Sequence, residues 1–140
     1  MVCYVYILNG RKLRFESSLE KYKTWEKSQE ICNKYNASLV AIQSQQEQSI
    51  LQTFLGQFNQ HPQFGGLWYW TSGHRDSNGK LKWMNNGNEI VYTNWEGGQP
   101  NNSGNCIAIY GSNNSNYNRK WYDVDCNTNL NVVCEFPLNI

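Results

Sequence analysis

Apolar side chains follow two different periods along this chain. Residues 4–16, YVYILNGRKLRFE, set β-rich runs on either side of Asn9-Gly10, a dipeptide that favours a tight hairpin turn, and predict a β-hairpin. The period then lengthens. Trp25, Gln29, Cys32 and Tyr35 fall near one face of a helix expected over about 24–35, with Thr24 as its N-cap. A second helix opens at SQQE, where Ser44 caps and Glu47 stands three residues on in a capping box. Ile50, Leu51, Phe54, Leu55 and Phe58 line its apolar stripe through about residue 59.

After His61 short β-like pieces take over. GLWYWTSG, KLKWM and EIVYTNW read as buried strands between turns rich in glycine and asparagine. Residues 95–120 are almost all loop, broken by CIAIY at 106–110, and the chain closes on KWYDVDC and NVVCEF. Helices first and strands later predict an α+β fold. No internal repeat or linker interrupts residues 1–140, so one domain is expected.

A formal net charge of +1 gives no electrostatic case for nucleic acid. The basic stretches RKLR (11–14) and NRK (118–120) read as a solvated face. No apolar run approaches the roughly 20 residues of a membrane span, and the first residues show no signal-peptide pattern. Six tryptophans and nine tyrosines provide for a compact core under long loops. His61 and His74 read as turn residues, and no nucleophile, phosphate-loop or HExxH motif accompanies them, so an enzyme is not expected. Asp123 and Asp125, two apart, would share one side of a strand, either as a solvated edge or as metal ligands.

Cysteines stand at 3, 32, 106, 126 and 134 without a CxxC pair, which argues against zinc and for disulfides in an oxidising compartment. N-x-S sequons at Asn36, Asn101 and Asn113 agree with secretion. Five is odd. One thiol stays free or pairs outside the chain.

The order of Cys32 on an early helix, WTSG (70–73), YTNW (92–95), QPN (99–101), the Cys106 strand, WYDVDC (121–126) and VVCEF (132–136) resembles a C-type lectin-like domain from about residue 4 to 137. The texture is similar to that of secreted invertebrate members. The resemblance implies two helices and a small antiparallel sheet with a long ligand-binding loop region. It implies disulfides Cys32–Cys134 and Cys106–Cys126, and leaves Cys3 unpaired or available for an interchain bond that would make a homodimer. It also implies a calcium-dependent, glycan-binding lectin in which side-chain oxygens around a cis proline hold Ca²⁺, and sugar hydroxyls complete the shell.

Position by position, Gln99, Pro100, Asn101 and Asp123 match that pattern. Gly104 stands where an acid is expected, and Tyr122 replaces the asparagine of the Asn-Asp pair. Glu96 is the nearest substitute acid, and Asp76 is what remains of an auxiliary calcium site. Gln99 in first place leans toward galactose or GalNAc, with Tyr122 or Tyr117 stacking on the sugar; the sequon at Asn101 must then be unmodified. The alternative is a module on the same scaffold, its calcium site degenerate, that binds a protein or a calcium-independent ligand.

Overall fold

The computed structural model describes the backbone of residues 2–8, 11–17 and 137, and residues 23–56, 68–110 and 119–136 in full. Strands β1 (Val2–Leu8) and β2 (Arg11–Ser17) pair antiparallel with Leu8 opposite Arg11, which is the expected hairpin; its Asn9-Gly10 turn lies outside the described residues. Helix α1 (Trp25–Lys34) starts where Thr24 Oγ1 accepts the Lys27 N–H at 3.3 Å. It buries Trp25, Ser28 and Cys32. Helix α2 (Gln45–Gly56) starts where Ser44 Oγ accepts the Glu47 N–H, and Glu47 reaches back to the Gln43 N–H at 2.6 Å. Leu51, Phe54 and Leu55 are its buried apolar residues, while Phe58 falls outside the described residues.

The other strands are β3 (Ser38–Leu39), β4 (Trp68–Arg75), β5 (Leu81–Trp83), β6 (Cys106–Tyr110), β7 (Lys120–Val124) and β8 (Val132–Pro137). They form two four-stranded sheets rather than one small one, in the orders β1-β2-β8-β3 and β5-β4-β6-β7. All named pairings are antiparallel. Successive side chains on a strand point to opposite faces, and that alternation fills two cores. Tyr69, Ile107, Ile109 and Val133 enter one, with Leu51, Phe54, Leu55, Trp83 and Trp121. Trp70, Cys106, Ala108, Val132 and Cys134 enter the other, with Trp25, Cys32 and Leu39. Burial on both faces explains why YWTSG reads as an unbroken apolar-and-small run rather than an alternating one.

Four expectations need correction. EIVYTNW is no strand: only isolated bridges, Lys82–Glu89 and Trp95–Trp121, touch it, and Val91 is 87% exposed. Arg119 is not on a solvated face. It is fully buried, with Nη2 donating to the Leu55 carbonyl and its guanidinium over the Tyr69 ring. His74 is a strand residue of β4 stacked on Trp25 at 4.8 Å, not a turn residue. Asp125 lies past the end of β7 and is exposed, where its carboxylate caps the Asn127 N–H, so it does not share the buried side of Asp123.

Candidate functional site

The loop from Met84 to Asn105 has almost no regular structure, and its shape is set by what it rests on. Trp121 of β7 is fully buried and meets Trp83, Tyr92 and Trp95 edge-on, with ring centroids 5.4, 5.9 and 5.7 Å away. Its indole N–H donates to Gln48 Oε1 at 2.9 Å, which ties this aromatic hub to α2. The backbone is stitched to the same residue: Trp121 N donates to Asn94 O, and Glu96 N donates to Trp121 O. A turn then closes by Gln99 N to Glu96 O at 2.9 Å. Its third residue, Gly98, takes φ +82°, which a side chain would resist. The Gln99–Pro100 bond is cis.

Beneath this turn lies Asp123, whose side chain is 0% exposed. Its Oδ1 accepts the Asn101 N–H at 2.9 Å, and its Oδ2 accepts from Arg75 Nη2 at 2.9 Å. The Asp123 carbonyl accepts Ser103 Oγ–H at 2.9 Å. Arg75 ends β4 with its side chain 17% exposed, and its own N–H donates to the Asn105 carbonyl at 2.9 Å. One arginine thereby holds the floor of the loop through its side chain and the loop's last residue through its backbone.

The other site residues fall as follows. Asn101 is exposed, with Oδ1 turned back to accept the Ser103 N–H at 3.0 Å. Gln99 is half-buried, and its Oε1 is shielded from solvent with no hydrogen-bond partner among the described residues. Glu96 is exposed, with Oε1 on the Gly97 N–H and Oε2 on the Tyr122 hydroxyl at 3.4 Å. Tyr122 points to the opposite face of β7 from Asp123, its ring edge-on to Trp68 and Tyr110. Burial, and then the Glu96 charge beside it, push the Tyr122 phenol above its usual range. Tyr117 lies outside the described residues.

Gly104 is the most informative departure. A Cβ there would run into the backbone of Val124 and Asp125, so the position excludes any side chain while the loop lies on β7. The missing acid is therefore a matter of space as well as identity. Asp76, far from standing free, organises the β4–β5 turn: its Oδ1 accepts the Lys80 and Asn78 N–H groups and its Oδ2 pairs with Lys82 at 3.1 Å. Those contacts, the Lys80 backbone bond foremost, hold its carboxyl below the usual range.

Calcium takes six to eight oxygens at 2.3–2.6 Å and draws its affinity from carboxylates. Here the buried carboxylate is committed on both oxygens, the Asn101 carbonyl faces a backbone N–H, and position 104 has no room for an acid. The residues present do not fit the ion in the family's arrangement. His74 lies near Cys106 and Cys126, but those sulfurs are bonded to each other and are not thiolate ligands. Sequence reasoning missed Arg75, which sits 48 residues from Asp123 and next to His74, the residue read as part of a turn. The only signal was a cation at the end of a strand two ladders from β7.

The disulfides Cys32–Cys134 and Cys106–Cys126 both form, with Cα atoms 5.5 and 5.2 Å apart. No helix among the described residues is long and apolar enough to cross a membrane. Residues 21–136 match the family model for the lectin C-type domain. Lithostathine of Rattus norvegicus is 29% identical over 122 residues, 84% of this chain and 69% of that protein. The fold is similar to that of SPL-1 in its GlcNAc complex, with a TM-score of 0.78, 24% identity, and 96% of this chain and 93% of that one covered. It is similar also to SPL-2 from Saxidomus purpuratus, a Ca²⁺-independent C-type lectin, with a TM-score of 0.78, 24% identity, and 97% and 93% covered. The fold, the two disulfides and the cis-proline loop thus converge with the family match: this chain belongs to the C-type lectin domain family and is a non-enzymatic carbohydrate-recognition domain.

Proposed function

We propose that this chain is a secreted lectin domain that binds a neutral glycan at the Glu96–Asn101 turn without calcium. The observation that carries this reading is the committed state of Asp123, which fixes the turn through protein groups alone. The turn then carries the exposed Asn101 amide and Glu96 carboxylate, with the Gln99 amide half-buried between them and the Tyr122 hydroxyl on Glu96. Amides offer both donors and acceptors, which suits sugar hydroxyls that need both. SPL-2 shares the fold and is described as Ca²⁺-independent, so the scaffold does not by itself require the metal. Two disulfides support an extracellular setting.

The calcium-dependent reading, of galactose or GalNAc type, is second, and one observation favours it. Gln99 Oε1 is buried with no hydrogen-bond partner among the described residues, as an oxygen held ready for a cation would be. A glycan array probed in millimolar calcium and again in chelator separates the two. Binding that persists in chelator and falls in Gln99→Ala and Asn101→Ala supports the metal-free site. Binding lost on chelation establishes the second reading. A blank array under both conditions moves the domain to a protein-binding role.

A further inference from the structure

The buried carboxylate of Asp123 needs a positive charge beside it, since an isolated buried charge is costly and the group would otherwise have to be neutralised. Arg75 supplies that charge at 2.9 Å, from a side chain itself largely buried. The pairing leaves Asp123 Oδ1 directed at the Asn101 N–H, one residue past the cis proline, while Arg75's own N–H holds Asn105. Charge compensation and loop fixation therefore meet in one residue. These are the two things a bound cation would otherwise contribute at this spot.

We propose that Arg75 is a built-in cation for this lectin site: a positioning residue that replaces a divalent ion under the Gln99–Asn101 turn and bars such an ion from Asp123. The inference rests on the metal-free reading above and deepens it, because it names the group that makes the metal unnecessary. It also explains how a loop with Gly104 packed directly on β7 keeps a carboxylate beneath it. Like charges would repel: a divalent ion cannot reach Asp123 without first displacing the guanidinium, whose planar fork and always-charged state suit it to a buried pair.

The test reads the cation rather than the sugar, so a chain that binds no glycan still answers it. Wild type should melt at the same temperature in 10 mM calcium and in chelator, and should give no tryptophan-sensitised terbium luminescence. Arg75→Gln should melt about 5–10 °C lower, as expected for one partner of a mostly buried pair left alone. It should then regain about 3–5 °C in 10 mM calcium, the shift for a site of roughly millimolar affinity, and acquire the terbium signal. Arg75→Lys, which keeps the charge, should remain indifferent to both ions. The double variant Arg75→Gln/Asp123→Asn removes both charges and should recover most of the lost melting temperature with no metal response. If Arg75→Gln does not fold and the double variant does, charge compensation is upheld. A folded Arg75→Gln without metal response, a wild type that responds as strongly as the variant, or a double variant no more stable than the single one overturns the proposal.

Discussion

Restoring the acid that the family pattern expects should damage this domain rather than repair it. Gly104 has no left-handed φ, so an alanine there meets no backbone-conformation penalty, and the whole cost is steric. The new Cβ would strike the carbonyl carbon and oxygen of Val124 and the amide of Asp125, and backbone atoms of a paired strand cannot swing aside. The loop must lift off β7 instead. Lifting it breaks the Asn101 N–H bond to the Asp123 carboxylate, the Ser103 hydroxyl bond to the Asp123 carbonyl, and the Arg75 N–H bond to Asn105. One bond to a charged acceptor at about 1.5–3 kcal/mol and two neutral ones at about 1 kcal/mol each give a loss of about 3–5 kcal/mol. Gly104→Ala and Gly104→Glu should both show it in urea unfolding with the disulfides intact. Gly97→Ala, where an added Cβ meets nothing within 4 Å, should stay within about 0.5 kcal/mol of wild type. A Gly104→Ala protein as stable as the Gly97 control would refute the packing argument. A Gly104→Glu protein that gains calcium binding without losing stability would show instead that the loop readily adopts the family's metal-bearing form.

Burial, and then Glu96, favour the neutral Tyr122 phenol and raise its titration above the ordinary value of 10.0, so its contribution is intact below pH 10 and is lost as pH climbs from there through the raised value in the folded protein. Absorbance at 295 nm should show a late tyrosinate phase in wild type that is diminished in Tyr122→Phe, and equal titrations would count against the contact. Replacing Cys106 and Cys126 by serine opens a closure of 20 residues and should cost about 3 kcal/mol in chemical unfolding; an unchanged midpoint would show that the ion pair alone fixes the loop. Cys3 stands on β1, the outer strand of its sheet, and an interchain bond there predicts a non-reducing band near twice 16.3 kDa that collapses with reductant and in Cys3→Ser. A monomer band under both conditions removes the covalent dimer.

The helices were legible because their signals are local. Thr24 and Ser44 lie within four residues of the amides they cap, and no distant contact is needed to place them. The hairpin and the strands around Trp70, Ile107 and Val133 were legible for a related reason: runs that bury on one or both faces keep their apolar texture wherever the fold sends them. EIVYTNW has that texture and still forms no strand. Its aromatics serve as anchors on Trp121, and strand propensity reports a fit to a pleated, half-buried surface rather than a backbone preference. Arg119 was misread and Arg75 passed over because an isolated arginine carries no mark of its partner. What buries them, Tyr69 and Leu55 for one and Asp123 for the other, comes from 50, 64 and 48 residues away. Gly104 read as a lost ligand; only the packed backbone shows that nothing larger fits.

The same geometry bears on why a loop so poor in apolar residues is ordered at all. Fixing each backbone residue costs about 1–2 kcal/mol, and a dozen residues between Asn94 and Asn105 bury few side chains to offset it. Three constraints of different kinds converge on its far end. Cys106 is bonded to Cys126 and is also opposite Val124 in the β6–β7 ladder, which sets where Asp123 lies. Arg75 reaches that carboxylate and holds Asn105, the residue before Cys106. The near end is held by Trp95 on Trp121. With both ends pinned and Asp123 gripping Asn101 in the middle, the ordering cost falls on folding rather than on ligand capture. On the proposed metal-free reading, a glycan meeting this turn would need to immobilise only the Gln99, Asn101 and Glu96 side chains, which lowers the ordering cost that its contacts with those groups must offset.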